Sequence, residues 1–242
     1  MLRHDGRAPE DIRPVNIVID FICYPEGSVL ISCGNTKVIC NATIEENVPP
    51  FMRGQGRGWV TAEYNMLPRA TATRSSRDIS KLKLNGRAAE IQRLIGRALR
   101  SVTDLDALGE RCITLDCDVI QADGGTRCAS ITGAFCALAL ALDKLRQQGA
   151  FETLPLRSYA AAVSVGLVNG QAVCDLDYVE DSGGEADFNF IMDDQQRIIE
   201  LQGTGEERPF TKTELDRMYE LAQGGIARLV DAQKAAVGHL LR

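Results

Sequence analysis

The sequence predicts an α+β fold on three observations. Short runs of alternating apolar residues are separated by turn signals, three longer stretches repeat at helical spacing, and the two kinds of segment are not strictly interleaved. Meanders flanked by helices follow, rather than a succession of strand–helix–strand units. The 242 residues are 45% hydrophobic, 25% charged and 5% aromatic, which marks a globular chain able to bury most of its unfolded-state surface. At this length one large or two fused small domains are compatible with the numbers. No low-complexity linker divides the chain, and sheets and helices are mixed along it.

The elements are expected in this order. Residues 15–23 are β-rich with partial alternation, Pro25-Glu26-Gly27 turns into a strand over 28–33, and Gly34-Asn35 turns into another over 36–44. After Pro49-Pro50 comes a loop with Gly54, Gly56 and Gly58, then a short strand over 59–64. Gly-x-Gly-x-Gly before a strand, not a helix, rejects a dinucleotide fingerprint. Residues 65–77 lack periodicity and read as a loop. A long helix follows, with Ile91, Leu94, Ile95, Ala98, Leu99 and Val102 on one face and Arg93, Arg97 and Arg100 on the other. Residues 111–120 alternate as a half-buried strand, and Asp123-Gly124-Gly125-Thr126-Arg127 opens a helix of small residues through Leu145. Strands recur at 159–168, 171–178, 186–192 and 197–202. Thr211 and Glu214 fit a capping box that starts a final helix with Leu215, Met218, Ala222, Ile226, Leu229 and Val237 inward.

Composition narrows the chemistry. The only histidines, His4 and His239, stand at the chain ends, so a zinc site or a Ser-His-Asp triad is hard to build. The eight cysteines form no Cys-x-x-Cys and most sit in apolar runs, as small buried hydrophobes in a reducing compartment do. Met-Leu-Arg-His-Asp-Gly-Arg at the N-terminus contains no apolar signal region, and no apolar run approaches the roughly 20 residues that span a bilayer. A soluble, cytoplasmic protein without membrane partners is expected. Of 27 basic residues 21 are arginine, a bias that suits bidentate phosphate binding and equally a general preference for arginine on solvated faces.

The net charge of -6 hides segregation. Residues 53–100 carry eleven basic and three acidic residues, a net +8, leaving -14 for the remainder. Residues 175–194 hold eight acids and no Lys or Arg. Screening over about 8–10 Å lets a basic strip bind a polyanion on an acidic protein, and a dense carboxylate cluster must be solvated or hold a cation. Nucleic acid plus a divalent metal fits both.

Two segments can carry chemistry. Gln121-Ala-Asp-Gly-Gly-Thr-Arg127 joins a strand to a helix. Its glycines let backbone amides approach an anion, and Arg127 in the first turn opposes the helix dipole by a few tenths to about 1 kcal/mol unless an anion is bound. A Gly-rich connection with a capped helix accounts for the same residues. Asp175 and Asp177 are expected on one strand face, with Asp181 ending that strand and Gly183-Gly184 turning the chain so that Asp187 meets it across a hairpin. Two such carboxylates can hold Mg²⁺, or one can act as a general acid. An acidic turn in water explains them as well.

Several motifs together resemble the bacterial ribonuclease PH family. They are Asp-Cys-Asp-Val-Ile-Gln-Ala-Asp-Gly-Gly-Thr-Arg127, Leu-Asp-Tyr-Val-Glu-Asp-Ser-Gly-Gly-Glu-Ala-Asp-Phe-Asn189, Gly-Arg87 with Glu-Ile-Gln-Arg-Leu-Ile-Gly-Arg97, Thr-Lys-Val-Ile-Cys40, Gly-Gln-Gly-Arg-Gly-Trp-Val-Thr-Ala-Glu-Tyr-Asn-Met-Leu-Pro-Arg69 and Glu-Leu-Gln-Gly-Thr204. The match runs in order and essentially end to end. The repeats of polynucleotide phosphorylase and the exosome ring subunits are more distantly similar. The resemblance implies a single domain of the ribosomal protein S5 domain 2-like fold over residues 1–242, a homo-hexamer built as a trimer of dimers, and a 3′→5′ exoribonuclease. Such an enzyme uses inorganic phosphate to release nucleoside diphosphates from the 3′ ends of tRNA precursors. It further implies that Arg87, Gly125, Thr126 and Arg127 bind phosphate, that Asp181 and Asp187 are catalytic and hold Mg²⁺, and that Arg69, Arg74 and Arg77 guide RNA. Ala-Thr-Ala-Thr-Arg-Ser-Ser-Arg77 matches more loosely, and Gly183-Gly184 stands where small residues are usual.

Phosphorolysis needs no histidine, since its nucleophile arrives as an anion. Two rivals use the same residues: a metal-dependent hydrolytic nuclease releasing monophosphates, and a catalytically silent RNA-binding ring subunit. The presence of Arg87, Thr126, Arg127, Asp181 and Asp187 together favours the phosphorolytic enzyme.

Overall fold

Alternation in the first third of the chain builds a sheet before any long helix forms. Val15–Ile19 (β1), Gly27–Cys33 (β2) and Thr36–Glu45 (β3) pair as an antiparallel meander. β1 stops short of the expected residue 23 because Asp20 turns left-handed at φ 52. Trp59–Met66 (β4) and Cys112–Gln121 (β5) complete a five-stranded sheet of order β1-β2-β3-β5-β4, with β5 antiparallel to β3 and parallel to β4. The computed structural model describes residues 3–77 and 85–241, so Asp78, Lys81 and Lys83 of the basic stretch lie outside the described residues. Because β4 and β5 run parallel, the arginine loop after β4 and the Gly-Gly turn after β5 leave the sheet at the same end. There the Ala122 N–H donates to the Ala70 carbonyl at 2.8 Å.

Gly86–Val102 (α1) and the short Leu105–Leu108 (α2) link β4 to β5. All six apolar positions expected to face inward on α1 are buried. Of the three arginines expected on its outer face, Arg100 departs: its guanidinium lies 4.2 Å over the Trp59 ring and donates to the Val60 carbonyl at 2.7 Å. Cation–π contact and a buried carbonyl acceptor outweigh hydration there.

Ala160–Val168 (β6), Gln171–Cys174 (β7), Ala186–Asp193 (β8) and Ile198–Gly205 (β9) form an antiparallel sheet of order β7-β6-β8-β9. Thr126–Gln147 (α3) packs against β2, β3 and β5 of the first sheet and β6 of the second. Small residues permit this: a Cβ on Gly133 would lie 2.7 Å from Ile31 Cγ2 and 2.9 Å from Cys40 Sγ. Seventeen of the 22 residues of α3 are buried, as expected of a helix apolar on every side. By length and composition α3 is long and apolar enough to cross a membrane, contrary to the expectation of no such run; 89% of its most apolar window is buried inside the protein. Lys212–Val237 (α5) carries the expected Thr211–Glu214 capping box and buries Met218, Ala222, Ile226, Leu229 and Val237 against β6, β7 and β1, while Leu215 is half-buried. One apolar cluster runs through both sheets and the three long helices. Seven cysteines are buried free thiols and Cys23 is exposed. Burial pushes the Cys33 thiol up to about 12, leaving it an inert, apolar filler.

One expected strand is not a strand. β7 ends at Cys174, Asp175 turns left-handed at φ 55, and Asp177 caps a five-residue helix, Tyr178–Ser182 (α4). Asp177 and Glu180 complete a capping box; that Asp-x-x-Glu spacing was present in the sequence and satisfies two amides a strand would leave open. Asp175 and Asp177 therefore do not share a strand face.

Candidate active site

The Gly-Gly turn is held in place from below. Gly124 and Gly125 adopt φ 70 and φ 64, and a Cβ on Gly124 would lie 2.6 Å from the Asp177 carbonyl carbon and 2.7 Å from the Leu176 oxygen. Thr36 Oγ1 donates to the Gly124 carbonyl at 2.7 Å and accepts from the Asp123 N–H at 2.9 Å. The buried Arg13 guanidinium donates to the Asp123 carbonyl and, at 2.7 and 2.9 Å, to Asp175. Gly125 is the N-cap of α3, and no side chain caps the first-turn amides, which therefore face outward for an anion.

Thr126 is buried, and its hydroxyl meets the Tyr64 hydroxyl at 2.8 Å. Arg127 donates to Gln202 Oε1 at 3.1 Å and lies 3.7 Å from Glu90. Gln202 Nε2 donates to Glu200 at 3.2 Å, and Glu200 accepts from Arg97 at 2.6 and 2.8 Å. Since a carboxylate only accepts, the Gln202 carbonyl oxygen must face Arg127. Arg87 is exposed in the first turn of α1, where Asn85 caps its N–H at 3.0 Å. Both α1 and α3 start with an arginine and no acid in the first turn, a charge arrangement that an anion between them stabilises.

Seven of the eight acids of 175–194 sort into two groups, and the eighth, Asp194, is exposed. Asp175 pairs with Arg13, Glu180 with Arg3, Glu185 with Arg208 and Asp193 with Arg197. Asp177 accepts from His4 Nε2 at 2.7 Å. Arginines thus neutralise much of the cluster, some distant in sequence, as Arg3 and Arg13 are, and one, Arg197, four residues from its partner. His4, Asp177 and Glu180 could geometrically share a metal, but Arg3 and Arg7 already supply the positive charge there. Asp181 and Asp187 differ: no side-chain hydrogen bond or ion pair joins either to another described residue. Asp181 comes from α4 and Asp187 from β8, so a helix followed by Gly183-Gly184, rather than the expected hairpin, brings them together. Desolvation and the Asp187 charge push the Asp181 carboxyl above the usual range, against the pull of Arg87 and Arg127. The same two arginines act on Tyr64. Arg87 and Arg127 thus lie near enough to act on both Asp181, beside Asp187, and Tyr64, the hydroxyl partner of Thr126.

Asn189, on the same face of β8 as Asp187, accepts from Cys128 in the first turn of α3 at 3.2 Å, which seats that strand against the phosphate turn. Tyr64, Gln202 and Arg13 belong to the site's framework and escaped the sequence reading. Gln202 and Tyr64 each stood in a quoted motif without a role of their own, Tyr64 reading as one more inward strand residue, and Arg13 stood in none.

Arg69, Arg74 and Arg77 are exposed on the loop that leaves the sheet beside the Gly-Gly turn, with Arg69 donating to the Ala72 carbonyl at 3.2 Å. The basic stretch is not one surface, however. Arg53 and Arg57 precede β4, about 25 Å from its far end at ~3.3 Å per residue, and Arg57 pairs with Asp106 at 3.3 Å.

Two profiles of the 3′ exoribonuclease family match: domain 1 over residues 11–142 and domain 2 over residues 158–225. The chain is 57% identical over 241 residues to Ribonuclease PH of Bacillus subtilis strain 168, covering 99% of this chain and 98% of that one. It is 56% identical over 238 residues to Ribonuclease PH of Listeria innocua, covering 98% and 96%. Among solved structures, a chain of the Archaeoglobus fulgidus exosome with RNA bound to the active site superposes with a TM-score of 0.80 at 21% identity, covering 95% of this chain and 91% of that one. Rice Rrp46 superposes at 0.78 and 16% identity, covering 97% and 100%. The α+β architecture is thus that of the exosome subunits, and the chain belongs to the ribonuclease PH family of 3′ exoribonucleases.

Proposed function

We infer that the chain is a phosphate-dependent 3′→5′ exoribonuclease that trims tRNA precursors and other RNA 3′ ends, releasing nucleoside 5′-diphosphates. The observation that carries this reading is the start of α3, where Gly125, the buried Thr126 and Arg127 have no side-chain cap and no acid in the first turn, with Asp181 near enough to feel the charges of Arg87 and Arg127. Arg87, Arg127, the Thr126 hydroxyl and the amides around Gly125 hold inorganic phosphate in line with the terminal phosphodiester. They screen its repulsion from RNA, which is positioning plus electrostatic stabilisation. A phosphate oxygen bonds to the scissile phosphorus as the bond to the leaving 3′ oxygen breaks, and one of the two aspartates supplies that oxygen's proton. Asp181 and Asp187, two solvent-reachable carboxylates to which no basic side chain among the described residues bonds, suit Mg²⁺, which binds through one or two carboxylates and substrate phosphates. When bound there, the ion would neutralise charge on the scissile phosphate.

Arg69, Arg74 and Arg77 guide the RNA backbone toward this cleft. Residues 1–242 act as one ribonuclease PH-type domain, supported by the apolar cluster common to both sheets. A homo-hexamer of three dimers is supported by Val18, Phe21 and Tyr24, apolar side chains left exposed at β1 and the loop after it. We place the enzyme in the cytoplasm, a reducing compartment in keeping with its free cysteines. The test incubates a 3′-extended tRNA with Mg²⁺, with and without phosphate. Diphosphates released only with phosphate are expected; monophosphates in either reaction would overturn the reading.

A further inference from the structure

We propose that Arg3, Arg7 and Arg13 form a clasp that positions α4, and through it Asp181, against the phosphate turn; this rests on the reading of Asp181 as part of the catalytic machinery. All three are positioning residues and touch no reacting atom. Arg3 and Arg7 precede both family-matched segments, and the mechanism leaves them without a task.

α4 cannot hold its own place. A five-residue helix is far below the length at which helices persist unaided. Its Tyr178 and Val179 side chains are largely exposed, so apolar burial does little to seat it. It also follows a left-handed aspartate at φ 55, a conformation that persists only where surroundings impose it. Its anchor is Glu180, which is buried. Arg3, only 9% exposed, grips Glu180 bidentately, with Nε to Oε1 at 2.7 Å, and donates to the Cys174 carbonyl at 2.6 Å and the Asp175 carbonyl at 2.9 Å. Arg7 donates to the Asp175 carbonyl at 2.9 Å and lies 3.5 Å from Glu180 and 3.7 Å from Asp177. Arg13 joins the Asp175 carboxylate to the Asp123 carbonyl, so the acid-bearing segment and the phosphate turn share one guanidinium.

Consecutive helical residues project about 100° apart. With Glu180 drawn inward, Asp181 one position on projects to another side of α4, where Asp187, Arg87 and Arg127 act on it. A planar bidentate fork fixes the orientation of what it grips, which apolar packing does not. Buried ion pairs add little net stability over apolar packing, so orientation is the contribution that distinguishes this design.

The experiment measures kcat, the KM for phosphate and equilibrium phosphate binding in four variants. Arg3→Gln alone strands a buried carboxylate and risks misfolding, so the central variant is the double R3Q/E180Q, which removes both charges. Expected is a folded protein with kcat down at least tenfold and phosphate KM and binding within twofold of the parent. Arg3→Lys, lacking the fork, should recover only part of kcat. In an Asp181→Asn background the double substitution should add no further loss to the residual rate. An unchanged kcat in folded R3Q/E180Q overturns the clasp. So does a fall in phosphate affinity parallel to kcat, or a loss that multiplies with Asp181→Asn. Full activity of Asp181→Asn would instead overturn the role of Asp181 on which the clasp rests.

Discussion

Tyr64→Phe removes one oxygen from the floor of the anion site and leaves the ring in place. Tyr64 is 2% exposed and its hydroxyl lies 2.8 Å from Thr126 Oγ1. Each hydroxyl carries one hydrogen. If Thr126 donates to phosphate, Tyr64 must donate to Thr126, so the phenol sets the direction of the threonine hydrogen. Burial raises the Tyr64 pKa, which keeps that donor protonated throughout the neutral range. Losing the orienting bond removes about 0.5–1.5 kcal/mol, equivalent to roughly 2- to 12-fold in affinity. Expected is a phosphate KM raised by that factor with kcat within twofold, read from initial rates of diphosphate release across a phosphate series. Stability should fall by about 1 kcal/mol, or roughly 2–4 °C in Tm for a chain this long. Thr126→Val should cost more, about 1–3 kcal/mol, since it strands the buried phenol. An unchanged phosphate KM in Tyr64→Phe, or a fall in kcat alone, would refute this account of how the hydroxyl is held.

Three further outcomes are expected. Gln202→Leu frees Arg127 from its 3.1 Å tether and should lower kcat/KM for phosphate roughly tenfold, as loss of a bond to a charged group does, with RNA binding retained in filter assays. Arg74→Ala should lower the log–log salt slope of RNA binding by about 1; an identical slope would remove Arg74 from the RNA path. Asp116→Asn should stabilise the fold at pH 7. Desolvation, Glu63 and Asp118 raise the Asp116 pKa, and Glu63 stands directly opposite it across β4 and β5. The folded state therefore takes up this proton before the unfolded one, so the parent gains stability as pH falls from the folded toward the unfolded pKa. The variant should show a gain of about 0.2–1 kcal/mol at pH 7 and a flatter rise toward pH 5 in urea titrations.

Local features of the chain carried most of the element order. The inward face of α1, the capping box of α5 and the alternation of β5 all depend on neighbours within a few residues, and each stands where spacing put it. The left-handed Asp175 and the Asp177–Glu180 box were misread because alternation before them continued on paper, while the competing cap satisfied two amides at once. The glycine turn, the two arginines and the two aspartates were identifiable as residues, through motifs whose order matches a known family.

Their relations were not. A row of eight acids reads as one anionic patch, yet guanidinium groups from Arg3, Arg7, Arg13, Arg197 and Arg208 neutralise most of it and, among the described residues, leave Asp181 and Asp187 without such a partner. A +8 stretch reads as one basic surface, yet the parallel pairing of β4 with β5 sends Arg57 to one end of the sheet and Arg69 to the other. The sequence by itself determined which side chains were available and, outside the segment around α4, which segments would be helix or strand, because propensity and periodicity act over a few residues. Only the tertiary structure decided which charges cancel and which remain for chemistry, because pairing depends on approach between residues more than 160 positions apart, such as Arg13 and Asp175.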